Sequence, residues 1–235
     1  MKKQLLILLL LAFTASLPAA PVDPSTFAQP VRVACVGDSI TYGVGTTRGN
    51  SYPSQLGRML GDKWVVMNFG VSGATLLNHG DRPYQKQWKF KKALASKPDV
   101  VVIKLGTNDS KPQNWKFHDE FAADYENLVS QFAKLPSHPR IFVCYPAFVP
   151  GPGNYGINEP CVLQELPIVD QIATTDKLDR IDLQAPLKDH PDWLPDRIHP
   201  NNAGATAMAK TVYLALTGKE FTGEAPLVTV VPPAN

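Results

Sequence analysis

Five short runs rich in β-forming apolar residues recur along the chain, at Val31–Val36, Trp64–Phe69, Val100–Leu105, Arg140–Tyr145 and Leu178–Leu183. Helical patterns separate them over residues 52–61, 85–96, 118–134 and 160–175, and a last one over 201–217 stops at Gly218, a residue suited to a helix C-terminus. Most of the runs are apolar throughout and lack a clean period of two. That pattern fits strands covered on both faces. Strand and helix in alternation predict one α/β domain, a three-layer α/β/α sandwich around a central parallel sheet. The expected domain covers 28–218, with 219–235 as a C-terminal extension.

The first residues have a different character. Lys2 and Lys3 precede an apolar core from Leu5 to Phe13, and Ala19-Ala20 stand ahead of Pro21. This order predicts a signal peptide over 1–20 and a secreted or periplasmic mature chain. The apolar core is well short of the roughly 20 residues that span a bilayer, so no stable membrane association is expected. Without Lys2 and Lys3, the 23 basic side chains fall into balance with the 21 acidic ones. A chain with no net charge has no overall field for nucleic acid or anionic lipid.

Cysteines and histidines add little chemistry. Cys35, Cys144 and Cys161 allow one disulfide in an oxidising compartment. Cys144–Cys161 is the favoured pair, and three reduced buried thiols are the alternative. The five histidines are scattered, with no HExxH or CxxC spacing, so no metal or other cofactor is expected.

Ligands of open α/β sheets bind beyond the carboxyl ends of the strands, so a site is expected in the segments just past each apolar run. The first run leads into "GDSIT" and the second into "NFGVSGAT", Asn68 to Thr75. The third gives "LGTND", and the segment after the fifth gives "LPDRIHPN", Leu194 to Asn201. Taken singly, these blocks read blandly. Ser39 would cap a helix, Gly73 would serve a turn, Asn108 would fold onto its own loop, and Asp196 and His199 would be loop residues. Together they supply what ester hydrolysis needs: a nucleophile, a base, a group that orients the base, and donors for the developing oxyanion. Ser39 is the candidate nucleophile. His199 is the candidate base, because imidazole exchanges protons near neutral pH. Asp196 is the group that orients it. The Ser39 and Gly73 backbone N–H groups and the Asn108 amide are the candidate oxyanion hole. Asp38 and Asp109, beside these residues, are read as acids that hold the loops.

The four blocks resemble those of the SGNH hydrolases, also called the GDSL esterase/lipase family, on Ser39, Gly73, Asn108 and the Asp196/His199 pair. The resemblance runs from about Val31 to Leu216. It implies a flavodoxin-like fold and a serine esterase without cofactor. Ile40 stands where leucine is commoner. The G-x-S-x-G elbow is absent, which disfavours the larger α/β-hydrolase fold.

The chain is also similar to secreted family members described as sialate or polysaccharide O-acetylesterases, through "NYGINE" and "DRIHPN". That likeness implies an acetylated sugar or polysaccharide fragment as substrate. Tyr42, Trp115, Asn154, Tyr155 and Trp193 are the candidates for the cleft rim, with ordinary packing as their alternative. The Pro/Gly-rich loop from Tyr145 to Pro160 is long enough to suggest a functional role. The rival readings are a periplasmic lysophospholipase or acyl-thioesterase of the same family, and a catalytically silent carbohydrate-binding protein.

Overall fold

The computed structural model describes residues 20–229, so the expected signal segment lies outside the described residues apart from Ala20. Five strands, β1 Val31–Gly37, β2 Trp64–Gly70, β3 Val100–Lys104, β4 Arg140–Cys144 and β5 Asp179–Ile181, form one sheet. Every pairing is parallel and the order is β2-β1-β3-β4-β5, the doubly wound arrangement that the strand and helix alternation predicts. Gly37 lies in register with Gly70 on one side and Lys104 on the other. The ends of β1, β2 and β3 are therefore level, and the three loops beyond them start side by side.

Among the described residues, eight α-helices complete the layers: α1 Ser39–Tyr42, α2 Tyr52–Leu60, α3 Trp88–Ala95, α4 Pro112–Trp115, α5 Phe121–Ala133, α6 Glu159–Thr175, α7 Ala185–Lys188 and α8 Asn202–Thr217. The helical pattern over 85–96 is interrupted because Gln87 is extended, which separates a 3-10 turn at Tyr84–Lys86 from α3. The pattern over 118–134 likewise opens as a 3-10 turn before α5. β5, an edge strand, pairs with β4 over three residues and is shorter than its apolar run.

Alternate strand residues face opposite layers, as the pleat requires. Val33, Cys35, Val102, Phe142 and Cys144 pack with Leu56 of α2 and Met208 and Val212 of α8. Val36, Val101, Ile103, Ile141 and Val143 pack with Phe90 of α3, Phe132 of α5 and Val169 of α6.

This division corrects the disulfide expectation. Cys144 is buried on the α2/α8 face, whereas Cys161 packs against the core on the other face. The sheet lies between the two thiols, and all three cysteines are free. Among the described residues, no helix is long and apolar enough to cross a membrane. Part of the C-terminal extension lies along α2, where the Asn50 amide donates to the Val228 carbonyl and accepts from its N–H, both at 2.9 Å.

Candidate active site

Ser39 sits at the first position of α1, immediately beyond β1. The cap of that helix is Asp38, whose Oδ1 accepts the Ile40 N–H at 2.9 Å. The helix thus does not consume the serine hydroxyl. Ser39 Oγ instead lies 2.9 Å from His199 Nε2. On the far side of the ring, His199 Nδ1 meets Asp196 Oδ2 at 2.6 Å. Donation of Nδ1–H to the carboxylate leaves Nε2 as the acceptor for the serine proton.

The spacing of Asp196 and His199 has a local cause. Asp196 Oδ1 accepts the backbone N–H groups of Ile198 (3.0 Å) and His199 (2.7 Å), folding the loop into a turn that points Oδ2 at the ring. Burial works to raise the Asp196 carboxyl, but the hydrogen bonds from His199 and Ile198 outweigh it and hold the group below its ordinary value. Gly45 makes room for the His199–Pro200 backbone. Its φ is +89°, and an added Cβ would stand 2.9 Å from His199 Cβ. "GVG" therefore belongs to the site, although its sequence reads as a plain turn.

The candidate oxyanion donors lie on the loops past β1, β2 and β3, which start side by side. Ser39 N–H, at the start of α1, has no intrahelical acceptor. Gly73 has φ +77°, a conformation that favours glycine. Asn108 is buried, and its Nδ2 donates to the Ala74 carbonyl at 3.1 Å. That bond fixes the amide plane and leaves the second N–H available. Asp109 ties the "LGTND" loop to the "NFGVSGAT" loop by accepting from Leu76 (3.0 Å) and Leu77 (2.8 Å). Asp38 and Asp109 thus hold loops, as expected.

Beneath these loops lies a cluster of buried charges that the sequence does not advertise. Lys104, the last residue of β3, is fully buried and donates to Asp38 Oδ2 (2.7 Å) and Thr107 Oγ1 (2.6 Å). Burial pushes the Asp109 carboxyl up to about 7, against the pull of the Leu77 and Leu76 N–H groups. Glu165 of α6 is also fully buried, and neither carboxyl oxygen meets a hydrogen-bond partner among the described residues. Burial, reinforced by Asp109, drives its carboxyl well above the ordinary range. One lysine balances one carboxylate, and the other two acids are pushed toward the neutral form.

This imposes a pH dependence on stability. The folded chain holds the Glu165 proton more tightly than the unfolded chain, so stability is lost as pH rises above about 4.5. Asp109 has the same sign over a window that closes near 7. Glu165→Gln removes the first penalty, so the stability of the variant relative to the parent should be greater at pH 8 than at pH 5. Thermal melts at the two pH values check it, and an equal or greater relative stability at pH 5 would refute it.

The long loop after β4 is braced against the site. Asn154 Nδ2 donates to the Asp196 carbonyl at 2.6 Å, and Arg197 donates to the Pro150 carbonyl at 2.7 Å. Ser110 Oγ accepts the Asn158 N–H at 3.1 Å, joining the same loop to the "LGTND" block. Asn154 is therefore a brace for the acid–base loop. Tyr155 is exposed, with its ring 6.2 Å from that of His199, and Tyr42 is exposed on the Ser39 helix. The two tryptophans are packed to different degrees, Trp115 buried and Trp193 half-buried. Trp115 is 9% exposed, packs edge-on to Phe121 and donates its indole N–H to Gln164. Trp193 stacks on His190 at 3.7 Å and packs against the α2/α8 core. Trp115 lies on a short helical turn whose apolar side faces inward, an effect that a motif reading does not register.

An open parallel sheet with serine, histidine and aspartate linked beyond its strand ends is the architecture of an acylhydrolase. The chain belongs to the GDSL-like Lipase/Acylhydrolase family, which it matches over residues 35–207. Over 216 residues, 82% of this chain, it is 41% identical to an acetylxylan esterase of Xylanibacter ruminicola. The chain spans 44% of that relative's length. Similar solved structures include a carbohydrate acetylesterase family member from Sinorhizobium meliloti, 20% identical over 79% of this chain and 99% of that one, with a TM-score of 0.67. A lipase/acylhydrolase from Enterococcus faecalis is 19% identical over 83% of this chain and all of that one, also with a TM-score of 0.67. At such identities the structural likeness shows the fold alone.

Proposed function

We propose that the chain is an exported serine esterase that removes O-acetyl groups from carbohydrates. The observation that carries this reading is the chain of hydrogen bonds from Ser39 Oγ through His199 to Asp196. In this mechanism Ser39 Oγ attacks the ester carbonyl as His199 Nε2 takes its proton. Asp196 steadies the imidazolium, and the Ser39 N–H, Gly73 N–H and Asn108 amide receive the oxyanion. His199 returns the proton to the leaving sugar hydroxyl. A water molecule, deprotonated by the same ring, then releases acetate from the acyl-serine.

The acetyl preference is supported by the relative from Xylanibacter ruminicola, an acetylxylan esterase. Export is supported by the basic, apolar and small-residue order of residues 1–20. Nitrophenyl esters of two to twelve carbons, assayed beside acetate release from acetylated xylan, test the reading. The two-carbon ester should be the best of the series, by about tenfold over the eight-carbon ester. Activity that peaks at eight carbons or longer would instead favour the lysophospholipase or thioesterase reading.

A further inference from the structure

The chain as a whole is nearly neutral, but one face beside the candidate site is not. From Arg82 to Pro98 there are six basic residues, Arg82, Lys86, Lys89, Lys91, Lys92 and Lys97, and no acidic one. Among the described residues none of the six forms an ion pair. Phe90 and Ala93 carry α3 into the core, so its lysines line the outward side.

Two exposed aromatic rings lie within this charge. Trp88 is 62% exposed and Tyr42 is 56% exposed. Lys89 joins them, with its ammonium 5.0 Å from the Tyr42 ring and 6.0 Å from the Trp88 ring, while donating to the Gly70 carbonyl at 2.8 Å. Lys92 stands 5.3 Å from Trp88. The strip is continuous with the site at two points. Tyr42 shares α1 with Ser39, and Arg82 Cδ lies 3.6 Å from where a Cβ on Gly73 would stand.

We propose that Tyr42, Trp88 and the α3 lysines form a binding platform for an acidic polysaccharide, one whose sugar rings stack on the aromatics while its uronate carboxylates meet the ammonium groups. This rests on the carbohydrate-esterase reading and adds a substrate class to it. Exposed aromatic rings offer broad apolar faces to the C–H side of a sugar ring. An unneutralised basic strip raises the local concentration of a polyanion and weakens as salt screens it. A lipid surface fits less well, because α3 presents no apolar outward face beyond Trp88. Nucleic acid would share the charge and the stacking, but its esters are phosphodiesters, and it has no acyl ester for the serine that adjoins the strip.

The test compares acetylated glucuronoxylan with a neutral acetylated xylan of matched acetyl content. The wild-type chain should favour the uronate-bearing polymer in kcat/KM, and the preference should shrink as salt rises from about 0.01 to 0.3 M. In Lys91→Glu/Lys92→Glu the ratio of the two kcat/KM values should fall about fivefold or more. Trp88→Ala should raise KM on both polymers. A wild-type enzyme that treats the two polymers alike at low salt would overturn the proposal.

A second arm does not depend on turnover. Ser39→Ala protein is titrated with unacetylated glucuronate-bearing xylo-oligosaccharides, with tryptophan fluorescence as the signal. Quenching that is lost on adding Trp88→Phe supports the platform even if no ester is cleaved, so failure of the esterase reading and failure of the platform remain distinguishable. Tighter binding to an oligonucleotide or to phosphatidylserine vesicles than to the acidic oligosaccharide would overturn it.

Discussion

Ser39→Ala should abolish release of acetate from small esters, lowering kcat/KM on the order of 10⁴-fold or more, equivalent to about 5.5 kcal/mol of transition-state stabilisation. The melting temperature should stay close to that of the parent. Among the described residues, the only hydrogen bond that Ser39 Oγ makes is the one to His199, and the α1 cap belongs to Asp38. His199→Ala should be comparably inactive. Combining the two changes should cost little more than either, since nucleophile and base act as one unit. Asp196→Asn should be inactive to a similar degree with the turn intact: its amide oxygen can keep accepting the two backbone N–H groups, but its NH2 then faces Nδ1 and holds the ring in the tautomer that cannot take the serine proton. Nor can the amide stabilise the imidazolium. Steady-state kinetics on nitrophenyl acetate measure all four variants. A Ser39→Ala protein that keeps even a hundredth of the parent activity would remove the catalytic assignment.

The parts of this molecule legible from sequence are those set by local pattern. Continuous apolar runs separated by helical ones specify the parallel sheet, and the polar blocks after the first and fifth runs carry Ser39, His199 and Asp196, which meet beyond the strand ends. What stays hidden depends on partners distant in the chain. Lys104 reads as the solvent-exposed end of a strand, yet Asp38, 66 residues away, makes its burial tolerable. Glu165 reads as a helix-surface acid, yet it lies against Gly106 so closely that an added Cβ would stand 2.0 Å from Oε2. Aromatics near motifs invite a rim reading for Trp115, but which side of its short turn faces inward is decided by the core beneath it. The disulfide expectation rests on loop positions. It fails because residue parity, not loop length, decides which face of the sheet a strand cysteine occupies.

Lys104→Met should be the most destabilising single change near the site. It leaves the Asp38 carboxylate buried, with its Ile40 bond but no compensating cation, and it orphans Thr107 Oγ1. Breaking one side of a buried ion pair costs about 3–5 kcal/mol, a large share of the roughly 5–15 kcal/mol that holds a typical domain together. For a chain of this size the melting temperature should fall by about 10 °C or more. The double variant Lys104→Met/Asp38→Asn should recover part of that loss, because an amide at 38 can still cap Ile40 through its oxygen and carries no charge to strand. The recovered part measures the coupling between the two residues directly. The pair also links the two loops that matter most: Asp38 precedes Ser39, and Thr107 precedes Asn108. Well below the melting point, Lys104→Met should therefore lower kcat on nitrophenyl acetate, and the double variant should restore some of it. A Lys104→Met protein that melts within about 2 °C of the parent, a shift below about 1 kcal/mol, would show that the buried pair does not brace the serine turn against the asparagine loop.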